Sequence, residues 1–288
     1  LGLFMSLITT IQSDEMHLSK SFRRIANLIL KEPQLFMSKT VRELSRIAGV
    51  SEPTLIRFCR HYKYSGVPEF RIALALSQAA HRPIDANSYF EPSVEDKTIV
   101  NRTAKRSIAT YAADLVEENQ SIILDSGSTT WFMAEALCNY PPLTILTTGL
   151  NIAQVLRSSH QHTIILPGGT LRPESMSLGG RMVETSLSTM HFDIAFIGSD
   201  SIDPKIGLST FNENEAHQTL AMIRASKKIV VLADSSKFNT AALHKICSLD
   251  QVATLISDNN LPLTTQHAIR DAGVELICVP FLPQGKTL

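Results

Sequence analysis

At 288 residues, with 44% hydrophobic and 19% charged positions, the chain has room for two cores and is too apolar to read as disordered. No apolar run approaches the roughly 18 residues needed to span a bilayer, which argues against a membrane partner. The formal charge of zero hides a split: residues 1–83 carry twelve Lys and Arg against six Asp and Glu, so a +6 head precedes a −6 body. A basic head on an acidic body is what a nucleic-acid-binding module fused to a second, non-binding domain shows.

The first residues, Leu1 to Ile11, lack a basic n-region and a small-residue cleavage site. They read as a lead-in to the first helix and not as a signal peptide. From about Leu18 to Gln78 the pattern is helical. Phe22, Ile25, Ala26 and Ile29 recur at helical spacing over Ser21 to Lys31, and Pro33 stops that helix. Two shorter helices, Val41 to Ala48 and Pro53 to Tyr62, flank Gly49. A fourth runs from Val67 to Ala79 with Pro68 in its first turn. Residues 81–97 hold prolines and polar residues with little periodicity and read as a linker, giving a head over 1–80 and a second domain over 98–288.

A helix bearing Ile99, Ala104, Ile108 and Ala112 opens the second domain. Short β-rich runs then alternate with amphipathic helices: Ser121–Leu124, Leu143–Leu146, Thr163–Leu166, Ile194–Ile197, Lys228–Leu232, Val252–Ile256 and Val274–Val279. Such alternation predicts an α/β fold with a mainly parallel sheet covered on both faces. The four cysteines, Cys59, Cys138, Cys247 and Cys278, are scattered and form no Cys-x-x-Cys pair. They read as small apolar residues of a reducing, cytoplasmic protein. The nine histidines include no His-Glu-x-x-His spacing. No metal or cofactor is expected. His160 and His162 read as a solvated surface pair.

The most specific local signal lies between Val41 and Phe58. A helix-turn-helix needs apolar residues that lock two helices, a small residue at their crossing and a turn residue tolerating positive φ. Leu44, Ala48, Val50, Leu55 and Phe58 supply the first, Ser45 the second and Gly49 the third. Ser51 is placed to cap the second helix, with Pro53 in its first turn. Arg57, Arg60 and Lys63 recur at i, i+3 and i+6, on one face, where they could neutralise phosphates. Glu52, Thr54 and Arg57 fall near base edges if the second helix enters the major groove. With Lys39, Thr40 and Ser51 these are the candidate contacts to a double-stranded DNA operator. The stretch VRELSRIAGVSEPTLIRFCRHYKYSGVPEFRIALA, residues 41–75, resembles the N-terminal domain of RpiR-type regulators. That resemblance implies a small helical DNA-binding domain, usually followed by a sugar isomerase domain that this chain does not show.

Several strands end in polar, small-residue loops: DSGSTT at 125–130, TTGLN at 147–151, PGGT at 167–170, GSDSID at 198–203 and ADSSKF at 233–238. In a parallel sheet such loops gather at the carboxyl ends of the strands, where ligands bind. In DSGSTT, Gly127 permits a tight turn, and Ser128, Thr129 and Thr130 offer hydroxyls and amides at a helix start, a favourable anion site. An ordinary strand-to-helix turn has the same composition. Lys237 could pair with a phosphate or simply be solvated. Asp125, Asp200 and Asp234 could bind sugar hydroxyls or cap turns. Glu215 lies early in a helix from Asn214 to Ser226.

Taken together, ILDSGSTT, LTILTTGLNIAQVL, IILPGGTLRPESMSLGG, FDIAFIGSDSID, GLSTFNENEA and VVLADSSKF resemble the C-terminal sensor domain of DeoR-type regulators over residues 98–280. The resemblance implies a fold like ribose-5-phosphate isomerase and a phosphorylated sugar effector. By position, Asp125, Gly127, Ser128, Thr129, Thr130, Asn151, Gly168, Gly169, Asp200, Glu215 and Lys237 fall in that family's effector pocket. DeoR-type proteins normally carry a winged helix instead, so head and body combine two families. The expectation is a repressor of a carbohydrate-utilisation operon, working as a homodimer or larger homo-oligomer on a two-half-site operator. The competing reading is a sugar-phosphate isomerase acting through Asp200, Asp203, Glu215 or Lys237.

Overall fold

The computed structural model describes residues 6–79 and 91–281. It divides into two compact units, 1–100 and 101–288. The segment expected as a linker falls partly outside the described residues; its remainder carries a short helix belonging to the first unit.

The first unit is all-α: α1 (Leu7–Asp14), α2 (Lys20–Lys31), α3 (Pro33–Ser38), α4 (Val41–Ala48), α5 (Glu52–His61), α6 (Val67–Ala79) and α7 (Val94–Ile99). Ser19 caps α2 by accepting from Phe22 N. Pro33 ends α2 and also opens α3, because its fixed φ and missing N–H suit a first helical turn. Ile25, Leu44, Leu55 and Leu74 are fully buried around Phe36, Phe58 and Phe70. The rings meet at an angle, Phe22 on Phe58 at 5.4 Å and 85°, the geometry that opposed ring quadrupoles favour. Arg71 of α6 donates to Phe36 O at 2.9 Å, to Lys39 O and to Asp96 of α7 at 3.1 Å. A buried pair of this kind contributes little net stability, but it ties α3, the entry to α4 and α7 to one guanidinium.

The second unit is built on a seven-stranded parallel sheet. In chain order its elements are α8 (Arg102–Ala113), β1 (Ser121–Leu124), α9 (Ser128–Leu137), β2 (Thr144–Thr147), α10 (Leu150–Leu156), β3 (Thr163–Ile165), β4 (Thr170–Arg172), β5 (Ser177–Gly179), α11 (Arg181–Leu187), β6 (Phe192–Ile197), β7 (Ser201–Asp203), β8 (Gly207–Thr210), α12 (Glu213–Arg224), β9 (Ser226–Leu232), β10 (His244–Cys247), β11 (Thr254–Asp258), α13 (Leu263–Asp271) and β12 (Glu275–Val279). The strand order is β12-β11-β9-β6-β1-β2-β3. Alternate side chains serve opposite faces. Ile123 joins the core beneath α11, α12 and α13, while Ile122 and Leu124 join the core beneath α8, α9 and α10. Both faces are covered, so the strands read as continuous apolar runs. Two small antiparallel sheets complete the unit, β10-β8-β7 and the hairpin β4-β5. At the amino ends of the strands, Asp193 accepts from Ser121 N and Oγ and from Lys227; those bonds hold its pKa at about 2.

The single helix expected around Ile99 to Ala112 is two. Asn101 adopts a left-handed conformation (φ 55°) and separates α7 from α8, leaving Ile99 exposed. The thiols of Cys59 and Cys247 are buried, and burial pushes their pKa values up to about 12 and about 11; all four cysteines are free. His160 is exposed, but His162 is half-buried and bonded through both ring nitrogens. Leu143 N donates to its Nδ1 at 3.2 Å, and Nε2 lies 2.8 Å from Leu137 O.

Candidate functional site

In the head, α4 and α5 form the expected pair. Ser45 is buried at their crossing, and Gly49 turns the chain with φ 63°. Arg24 of α2 donates to Gly49 O at 2.7 Å and so braces the turn from behind. A Cβ at Gly49 would stand 3.0 Å from that guanidinium, whose flexible tip can give way, so the positive φ is what favours glycine.

Of the residues expected to meet DNA, Ser51, Glu52, Arg57 and Arg60 are exposed on α5 or its N-cap. Thr54 is half-buried, and Arg57 Nη2 donates to its hydroxyl at 3.2 Å. Ser51 occupies the N-cap position, but its hydroxyl bonds the Thr54 hydroxyl at 2.8 Å and makes no backbone cap. Lys63 does not share the face of Arg57 and Arg60: α5 ends at His61, and Lys63 lies beyond it with φ 67°. Lys39 is half-buried, and Thr40 is exposed ahead of α4. The Thr40 hydroxyl accepts from Glu43 N at 3.2 Å while Glu43 accepts from Thr40 N at 2.9 Å, a capping box. Those bonds also hold the Glu43 carboxyl below its ordinary pKa.

In the second unit the chain runs β1 to β2 to β3 in one direction across the sheet, then returns to place β6 on the other side of β1. The β1–β6 boundary is thus a topological switch point, where loops diverge and leave a crevice. Asp125, just beyond β1, accepts from Gly198 N beyond β6 at 3.1 Å and from Ser126 N at 2.7 Å. Gly127 caps α9, and a Cβ there would lie 3.9 Å from Gly198 Cα. The N–H groups of Ser128, Thr129 and Thr130 have no partners inside α9, so its start presents partial positive charge. The Thr130 hydroxyl donates back to Asp125 O and Gly127 O at 2.6 and 2.8 Å, which fixes the turn and engages its proton.

Asp200 and Glu215 come together through Thr210, whose hydroxyl lies 3.0 Å from Asp200 Oδ2 and 3.0 Å from Glu215 Oε2. Glu215 is in the first turn of α12, its N–H held by Asn212 Oδ1. Asn151 accepts from Ile152 N on its own helix. Gly168 and Gly169 have φ of 77° and 124°, and a Cβ at Gly169 would stand 2.6 Å from Gly179 O. Close packing against the β5 strand end is enough to account for that glycine. Asp203 accepts from Lys205 N and Ile206 N and builds the turn between β7 and β8.

Lys237 lies beyond β9, two strands from β1, or about 10 Å across the sheet. Beside it, Asp234 accepts from Asn101 Nδ2 at 2.9 Å and Ser236 N at 3.1 Å, with Lys105 Nζ at 4.0 Å. Burial opposes the Asp234 charge, but Lys237, Lys105 and the Ser236 bonds outweigh it and hold the carboxyl below its ordinary pKa. Sequence reasoning passed over Asn101, Lys105, Thr210 and Gln218. A signal existed for Lys105, a lysine set among Ile108, Ala109 and Ala112 on the apolar face of α8.

Comparison with known proteins places both halves. Residues 5–81 match the family model for the helix-turn-helix domain of the rpiR family, and residues 100–259 match the DeoR C terminal sensor domain. A protein of Escherichia coli O157:H7, assigned by name as an aga operon transcriptional repressor, is 36% identical, covering 84% of this chain and 88% of its own. The L-fucose operon activator of Haemophilus influenzae is 31% identical, covering 77% of this chain and 86% of its own. Among solved structures, ribose 5 phosphate isomerase A from Neisseria gonorrhoeae is 20% identical with a TM-score of 0.36, covering 48% of this chain and 54% of that one.

Proposed function

The chain belongs to the family of helix-turn-helix transcription regulators with a DeoR-type sensor domain, here behind an rpiR-type head, and from that membership we propose that it represses a carbohydrate-utilisation operon under control of a phosphorylated sugar. What supports the effector reading is the β1–β6 switch point, where the open start of α9 suits a phosphate and Lys237 follows β9, two strands or about 10 Å across the sheet from β1. Asp200 and Glu215 supply acceptors for sugar hydroxyls between these ends. A relative named for an L-fucose operon supports the carbohydrate class.

The head binds double-stranded DNA through Arg57 and Arg60 on α5, with Glu52 and Thr54 toward base edges. The protein works in the cytoplasm as a homodimer or larger homo-oligomer, since two half-sites require paired heads. No helix among the described residues is long and apolar enough to cross a membrane. The effector acts by binding one arrangement of the heads better than another.

The test is fluorescence anisotropy on the protein's own upstream DNA at physiological salt, with and without pentose and hexose phosphates. Sequence-selective binding released by one sugar phosphate is expected. Absence of any sequence preference refutes the reading. Lys237→Ala should weaken the effector response and leave ligand-free DNA binding unchanged. The convergence of Asp200 and Glu215 on Thr210 favours one second reading, an isomerase using either carboxylate as base. Turnover of a sugar phosphate in a coupled assay, abolished by Glu215→Ala, would establish it.

A further inference from the structure

The Gln218 amide is half used. Its Nε2 donates to Thr148 Oγ1 at 2.9 Å, but its Oε1 has no hydrogen-bond partner among the described residues, although Gln218 is only 3% exposed. An amide oxygen removed from water without a donor is costly, and folded proteins keep few of them. An acceptor in that state is open to a donor that a ligand brings.

Its place in the fold supports such a use. Glu215, one turn earlier on α12, reaches Thr210 and through it Asp200 beyond β6; Gln218 reaches Thr148 beyond β2. β1 lies between β6 and β2, so these two contacts fall beyond the carboxyl ends of the strands on either side of β1, whose own end leads through Asp125–Gly127 into the Ser128–Thr130 amides of α9. On the remaining side stands Gly179. A Cβ there would be 3.2 Å from Gln218 Oε1 and 3.5 Å from Arg172 Cδ, so glycine leaves room beside the amide that its own side chain would otherwise fill.

We propose that Gln218 Oε1 is a specificity element of the effector crevice, accepting a hydrogen bond from one O–H or N–H of a phosphorylated polyhydroxy ligand. The phosphate anchors the ligand at the α9 start, and Gln218 reads a donor at a carbon removed from the phosphate. This rests on the sugar-phosphate reading of the crevice. A site with a buried acceptor rejects ligands that lack the matching donor far more strongly than an apolar pocket rejects a small change in size.

The experiment uses full-length protein and calorimetric titration. Pentose 5-phosphates, hexose 6-phosphates and inorganic phosphate are titrated first, and the sugar phosphate that binds is then compared with its monodeoxyfluoro analogues. Fluorine keeps the size of a hydroxyl but cannot donate. Wild type should lose at least tenfold in affinity for one analogue. Gln218→Met should bind that analogue and its parent within twofold of each other. Gln218→Glu, which keeps an acceptor, should still discriminate, and it serves if the Met variant fails to fold. Inorganic phosphate should bind wild type and variants alike. The inference is overturned if every analogue loses the same factor in wild type and in Gln218→Met, or if Gln218→Glu discriminates no better than Met. If no sugar phosphate binds wild type, the sugar-phosphate reading fails first and this subsite falls with it.

Discussion

Replacing Lys105 by methionine should destabilise the sensor unit, and the arrangement around Asp234 sets how much. Both groups are nearly inaccessible, with side chains 4% and 2% exposed and Nζ to Oδ2 at 4.0 Å. Two unit charges at that distance attract by about 4 kcal/mol at an effective dielectric of 20. Methionine no longer carries the desolvation cost of an ammonium, and Lys237 and the bonds from Asn101 and Ser236 still support Asp234. These offsets leave an expected loss of about 2–3 kcal/mol, toward or below the lower end for breaking a buried pair. The chain has one tryptophan, Trp131 on α9, so urea unfolding followed by its fluorescence reports on the sensor unit alone. Adding Asp234→Asn should recover at least about 1 kcal/mol relative to the sum of the single variants, because the uncompensated charge is gone. Additive single and double variants would show that Lys105 and Asp234 do not act as a pair. The pH dependence has a definite sign. Asp234 is held below its unfolded pKa, about 3.9, so its contribution is complete above that value and is lost as pH falls through the folded pKa. Wild type and Asp234→Asn should therefore converge in stability in acid.

Arg57→Ala should cost roughly 1–3 kcal/mol of operator affinity and relax preference at one position if the side chain reads a base. A uniform loss across sequences with a shallower salt slope would place it on phosphate, and unchanged affinity would remove it from the interface. Gly169→Ala should destabilise the sensor by roughly 1–3 kcal/mol, since the new Cβ meets Gly179 O at 2.6 Å and φ is 124°. A Trp131-monitored unfolding midpoint equal to wild type would show that the two strand ends separate freely.

The sheet strands were legible because both faces are buried, so Ile122, Ile123 and Leu124 form one apolar run between turn residues. The β10-β8-β7 sheet was not: β7 is three residues long and exists through pairing with β8, which no local pattern announces. The break between α7 and α8 was hidden because it rests on one left-handed residue, Asn101, ahead of which Ile99 is exposed while Ala104, Ile108 and Ala112 behind it are buried. In the head, Thr40 and Glu43 carried a readable capping-box spacing, yet Thr40 read as a DNA contact. Lys63 fell off the basic face because the end of α5 depends on turn geometry, which spacing alone does not encode. The strand-end loops of the site were visible as polar, small-residue clusters. Gln218 was invisible for the opposite reason: it sits inside a helix and only burial singles it out, whereas Lys105 was readable as a lysine on the apolar face of α8 and was passed over.

The pairing of β1 with β6 also governs how the chain is made. Ser121 and Asp193, bonded across these two strands, are 72 residues apart. A ribosome adding 5–20 residues per second leaves the β6-facing edge of β1 open for roughly 4–14 s, while β2 has already covered the other edge. The head closes within the first hundred residues, Ile8 N on α1 donating to Ser77 Oγ on α6, so it can be complete before that interval begins. A nascent molecule therefore carries a finished DNA-binding module ahead of a half-formed sheet, and the wait of β1 for β6 is its period of greatest exposure to misassembly.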